Sequence, residues 1–144
     1  MMDVNRFVLQ FIRDCAPKHV TTEFRRWPDD PGSLPLVIVD VGSPQEINNG
    51  PREVGFMGDV DLSIYAREYS TAYDLANTLR HNALRLWYAG YSNKHGGISH
   101  ISRGMGYPYE VDSDLEDHTI TRFDFAIPIV ASTHTAKEYE VTLV

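Results

Sequence analysis

Asp59-Val-Asp-Leu-Ser-Ile-Tyr-Ala66, followed after a short corner by Ala72-Tyr-Asp-Leu-Ala-Asn-Thr-Leu-Arg-His-Asn-Ala-Leu-Arg-Leu-Trp87, is the stretch on which the fold turns. In its first half Val60, Leu62, Ile64 and Ala66 alternate with Asp59, Asp61, Ser63 and Tyr65, the period of two that a half-buried strand requires. In its second half Ala72, Leu75, Ala76, Leu79, Ala83, Leu86 and Trp87 recur at steps of three and four, which makes one apolar stripe on a helix. Strand face and helix stripe can bury each other, and Gly90 offers a helix C′ position. Thr71 with Asp74 has the form of a capping box that would start the helix near residue 70.

The flanking chain supplies partners for this unit. Val4, Phe7, Val8, Phe11, Ile12 and Cys15 lie on one stripe of a first helix over residues 3–16, capped by Asp3 and stopped by Pro17. Cys15 falls on the apolar side and reads as a small buried hydrophobe. Strands are expected over residues 20–27, 34–41, 98–103 and 119–131, the second continuously apolar from Leu36 to Val39 and so either central in a sheet or covered on both faces. Pro128 cannot donate to a ladder, which marks that end as an edge or a bulge. Residues 42–58 contain four glycines and two prolines and read as a long loop between confident strands, of the kind that serves binding or assembly. The order of elements predicts an α+β fold: a two-layer sandwich of a mainly antiparallel sheet with one long central helix and an N-terminal helix. Residues 1–135 are expected to form one domain. The alternating tail, residues 136–144, fits either a disordered end or a strand given to another subunit.

Composition bounds the function. A chain of 144 residues buries roughly 70% of its unfolded surface, enough for a core without staples. The net charge of −7 argues against a general nucleic-acid binder, the single cysteine excludes an internal disulfide, and no apolar run reaches the length of a membrane span. A soluble cytoplasmic product follows as the default. No Gly-Lys-Ser/Thr phosphate cradle or Gly-x-Ser-x-Gly elbow occurs, and the six histidines form no metal-ligand spacing. Asp112, Asp114, Glu116 and Asp117 approach EF-hand spacing but lack its turn glycine and terminal glutamate, so a solvated acidic loop is expected. Asp59 and Asp61 share a strand face, with Asp124 a candidate neighbour, yet no partner residues complete an acid/base site. The expectation is a non-enzyme with no cofactor and no metal.

Leu34-Pro-Leu-Val-Ile-Val-Asp-Val-Gly-Ser-Pro44, the Gly/Pro segment after it, Asp59 to Ala66 and the Ala72-Tyr-Asp-Leu-Ala76 helix start resemble tail terminator (tail-completion) proteins of long-tailed phages, especially those of actinobacterial hosts. The resemblance spans the first helix to the last strand, and related neck and head-completion proteins share the layout. It implies a subunit of a six-fold ring that caps the tail tube, ends its polymerisation and meets the head-side connector while DNA passes through without specific binding. It also implies assembly in the host cytoplasm and residence in the virion. On that reading, Gln45, Glu46, Arg52, Glu53, Phe56 and Met57 are the expected contacts of the Gly/Pro segment, and the four acids at 112, 114, 116 and 117 the expected lumen or rim. Another head–tail connector protein, or a small metal- or ligand-binding enzyme, are the alternatives.

Overall fold

A computed structural model describes residues 3–28, 33–49, 52–102, 104–112 and 119–132. Of Asn49, Arg52 and Glu53 it describes the backbone alone. The elements run α1 (Val4–Cys15), β1 (Thr21–Phe24), β2 (Leu36–Asn49), β3 (Arg52–Ala66), α2 (Tyr69–Tyr88), β4 (Ser92–Asn93), β5 (Gly96–Ile101), β6 (Tyr109–Val111) and β7 (Thr121–Ser132). The strands form one sheet in the order β1-β2-β3-β7-β5-β4, with β6 also on β7. Only β1 and β2 run parallel; the other pairings are antiparallel. Both helices pack on one face of the sheet, giving the two-layer α+β sandwich that the periodicities predict.

The core lies between the layers. Val37, Val39 and Val41 of β2 stand opposite Ile64, Leu62 and Val60 of β3, which in turn face Phe123, Phe125 and Ile127 of β7. All nine are buried, under Phe7, Val8, Phe11 and Ile12 of α1 and Ala72, Leu75, Ala76, Leu79 and Ala83 of α2. Asp3 caps α1 through a 3.1 Å hydrogen bond from the Arg6 N–H. The α2 C-terminus is a Schellman turn: the Tyr91 N–H donates to the Leu86 carbonyl at 3.0 Å and the Gly90 N–H to that of Trp87 at 2.9 Å, with Gly90 at φ +78°. At the other end the expected capping box does not form. The helix begins earlier, at Tyr69, and Glu68 caps it through backbone geometry with no side-chain bond.

Burial pushes the Cys15 thiol up to about 12, with the Asp14 charge adding to the effect. Cys15 is therefore expected to resist a maleimide until the protein unfolds, and labelling followed against urea should track the unfolding curve.

The largest departure from the sequence reading is at residues 42–58, where the described residues, 42–49 and 52–58, are strand and not loop. They are the outer half of the β2–β3 hairpin, paired from Gly42↔Asp59 to Asn49↔Arg52. The ladder absorbs the irregular residues in two bulges, between Gly42 and Gln45 and between Ile47 and Asn48. Ser43 takes the left-handed φ of +47° at the first of them. Glycines here answer close approach between strands: a Cβ on Gly58 would lie 3.2 Å from the Pro44 Cα. Pro128 departs from expectation too, since it sits in β7, inside the sheet. In a strand a residue's N–H and C=O point to the same side, and the Pro128 carbonyl accepts from the Ser102 N–H at 2.9 Å. Its missing donor therefore faces the break between β5 and β6, and the β3 ladder is intact. β6 was not expected from the sequence; it ends at Val111, just before the acidic residues that begin at Asp112.

Candidate assembly surface

The face of the sheet away from the helices carries the polar chemistry. The alternation that buries Val60, Leu62 and Ile64 turns Asp59, Asp61 and Ser63 outward, and register then sets Asp40 directly opposite Asp61 and Asp124 opposite Ser63. A groove of about 810 Å³ runs over these residues, bounded by Tyr107 and Tyr109 of the chain segment that wraps around from β5 to β6. Two arginines flank it. Arg122 holds Asp124 in a two-pronged pair, Nε to Oδ1 and Nη2 to Oδ2, both at 2.9 Å, and reaches Ser63 Oγ at 3.3 Å. Arg25 pairs with Asp40.

Asp59 and Asp61 make no ion pair with any described residue. Like charges directly opposite across strands are destabilising. Burial, then the neighbouring Asp59, Asp40 and Asp124 carboxylates, raise the Asp61 carboxyl above its ordinary 3.8. A carboxyl whose pKa is raised by folding costs stability while it is ionised, and the cost disappears as pH falls through the raised value. Asp61→Asn is thus expected to raise the melting temperature at pH 7 and to leave it unchanged near pH 3. Paired thermal melts at the two pH values check the sign.

Among the described residues no three of His, Cys, Asp and Glu are placed to hold a metal ion, and no helix is long and apolar enough to cross a membrane.

The sequence-derived contact residues fall on this hairpin with different exposures. Gln45 and Glu46 are exposed on β2, and Met57 is 44% exposed on the outer face of β3. Phe56 is corrected: it is 2% exposed and packs edge-on against Phe7 with ring centroids 6.2 Å apart, so it is a core residue and not the surface residue that a contact role expected. Arg52 and Glu53 are paired through the backbone across the hairpin end, and their side chains lie outside the described residues. Asp112 is exposed just after β6, while Asp114, Glu116, Asp117 and the tail lie outside the described residues.

Sequence reasoning missed how β1 ends. Arg25 turns out of the strand at φ +61° while its N–H still donates to the Val39 carbonyl at 2.9 Å. Its guanidinium reaches the Val41 carbonyl at 3.4 Å, and Asp40 Oδ1 accepts from the Val41 N–H at 2.7 Å. Side chains thus finish the edge of β2 where β1 leaves it. The Arg25-Arg26 pair was the visible signal, but the acid opposite it follows only from register. Beyond Val41 the outer edge of β2 has no strand beside it among the described residues.

No family model matches this chain, and no curated protein matches it. Among solved structures, a chain of the "Virion of native gene transfer agent (GTA) particle" is similar at a TM-score of 0.47 and 11% identity, over 90% of this chain and 94% of that one.

Proposed function

We propose that this chain is a structural component of a phage-like virion, one that acts by shape and charge and catalyses no reaction. Within that class it is a tail terminator: a subunit that closes into a ring on the tail tube, stops its growth and offers the opposite surface to the head-side connector. The observation that carries this reading is the β2–β3 arm. It is the outer part of the β2–β3 ladder, braced by β7 as far as Gly55 and continuing as two strands to the Asn49↔Arg52 pair. Phe56 lies in the core, and no strand covers the outer β2 edge beyond Val41 among the described residues. The residues that resemble tail terminators, Leu34 to Pro44, the Gly/Pro segment after it, Asp59 to Ala66 and Ala72 to Ala76, comprise this arm, the inner ladder it continues and the start of α2.

Gln45, Glu46 and Met57 are the arm's leading contacts, with Arg52 and Glu53 at its end. Asp112, Asp114, Glu116 and Asp117 line the ring's lumen or rim, where negative charge lets DNA pass without adhering. Neutralising all four is expected to increase DNA adhesion to the assembled ring; unchanged adhesion and assembly would remove them from that role.

Met57→Glu places a charge on the outer face without disturbing the core. It is expected to change stability by no more than about 0.5 kcal/mol while weakening capture on purified tail tubes by roughly tenfold or more, the cost of about 1.4 kcal/mol at an interface. Native mass spectrometry and negative-stain imaging with tail tubes read both ring and capture. Normal capping by the Met57→Glu chain would sink the arm's role, and binding to a portal-side ring in place of the tube would reassign the chain to the neck.

A further inference from the structure

We propose that the free edge of β2 at residues 45–48 receives residues 138–144 of a neighbouring copy as an added strand. The inference rests on the ring reading and supplies its subunit-to-subunit contact.

The edge is open along a limited length. β1 covers β2 only from Leu36 to Val39, and the Arg25 and Asp40 side chains finish the edge at Val41. Exposed edges are normally guarded by proline, bulges or charge. The bulge around Ser43 and Pro44 guards the next step, since Pro44 has no N–H to offer. Along 45–48 the edge carries one charge, Glu46, and no proline, and the second bulge, between Ile47 and Asn48, places its extra residue, Val54, on β3 and not on this edge. This short run remains able to pair, and the apolar side chains of Ile47 and Met57 lie beside it, with Val130 next to Met57 across the ladder.

The occupant is written in the same chain. Glu138-Tyr-Glu-Val-Thr-Leu-Val144 alternates Tyr139, Val141 and Leu143 with Glu138, Glu140 and Thr142, and it contains neither glycine nor proline. That is the pattern of a strand with one apolar side. Strand addition would give it main-chain partners and set the apolar row beside Ile47 and Met57.

Reach decides whose edge it occupies. β7 ends its pairing at Ser132, opposite Gly55, while the hairpin continues outward to the Asn49↔Arg52 pair. To reach the far side of its own β2, the chain must pass β3 and β2, a lateral distance of about 14 Å at about 4.8 Å per strand. Clearing the side chains on one face and returning adds about 10 Å. The six residue steps from Ser132 to Glu138 span at most about 22 Å, short of that path. The chain's own edge is therefore out of reach, and a neighbour's edge is the natural receiver. Because donor and acceptor surfaces differ, repeating the contact runs head to tail, the kind of interface that closes into rings.

The test mixes two full-length variants, one carrying Gln45→Cys and the other Val141→Cys, under mild oxidation at the highest soluble concentration. Cys15 is buried and does not compete. The expected product is a covalent dimer that forms only in the mixture, with hydrogen exchange at residues 45–48 of the intact chain slowed about tenfold as concentration rises. Replacing Tyr139, Val141 and Leu143 together by Ser is expected to abolish both signals while leaving the melting temperature in place. Absence of the mixed dimer overturns the proposal. So does a cross-link confined within single chains when both cysteines are placed in one molecule. Imaging on tail tubes separates this result from the ring itself: rings without the mixed dimer remove only the strand exchange, and the mixed dimer without rings removes only the terminator reading.

Discussion

Phe56→Ala is expected to cost about 3–5 kcal/mol of unfolding free energy. At 2% exposure the ring is wholly enclosed, and it meets Phe7 edge-on, so truncation leaves a cavity between the hairpin and α1. Phe56 stands opposite Ala131 in the β3–β7 ladder, next to the last residue pair that joins those strands. The cavity thus opens where the arm leaves the core. In a chain of this size each kcal/mol is worth about 2–4 °C, so the melting temperature should fall by roughly 10 °C. Urea unfolding should show a lower midpoint with little change in slope, since the exposed area is nearly the same. Met57→Ala is the internal control. The neighbouring side chain is 44% exposed on the opposite face, and its removal should cost no more than about 0.5 kcal/mol. Equal losses from the two variants would contradict the inward placement of Phe56.

That pair of neighbours also shows what could be read from sequence and what could not. The helices and the strand from Asp59 to Ala66 announce themselves because their periods are local, and each buried residue on them was legible before any fold was known except Tyr65, which the period turns outward and Trp27 covers. The same period of two, carried backward from Val60 through Gly58, points Phe56 inward and Met57 outward. The glycines hid it, because Gly55 and Gly58 look like loop residues when only their neighbours in sequence are considered. They serve a tertiary purpose, the close approach of Ala131 and Pro44, which no local pattern reveals. Pro128 misled for a related reason: whether a missing N–H matters depends on which strand would have received it. The outer face was half visible. Asp59 and Asp61 were seen to share a face, but the cross-strand neighbour Asp40 and the flanking Arg25 and Arg122 belong to it only through register. The free edge of β2 was beyond reach altogether, since it is defined by where a parallel strand stops.

Gly55→Ala should separate the arm from the body. A Cβ at this position would lie 2.0 Å from the Ala131 carbonyl oxygen and 3.1 Å from the Ser132 Cα, both backbone atoms of the paired strand. No rotamer change relieves such a contact, so β3 and β7 must part at their outer end. The expected cost is about 3 kcal/mol, at the upper end for added bulk in a packed region. The neighbouring glycines grade the effect. Gly58→Ala brings a Cβ to 3.2 Å from the Pro44 Cα, within a bulge that can shift, and should cost about 1 kcal/mol. Gly90→Ala meets nothing within 4 Å but must hold φ +78°, which also costs about 1 kcal/mol. Hydrogen exchange locates the damage: protection should fall at residues 53–57 and 130–132 of the Gly55→Ala chain and persist at residues 60–66, where the ladder lies under the helices. If the arm is the assembly element, capture on tail tubes should be lost at temperatures where this inner ladder is still protected. A Gly55→Ala chain that melts within about 1 °C of the parent and keeps its outer amides protected would show that β3 and β7 are not in register at Gly55, and with that the arm's geometry would have to be redrawn.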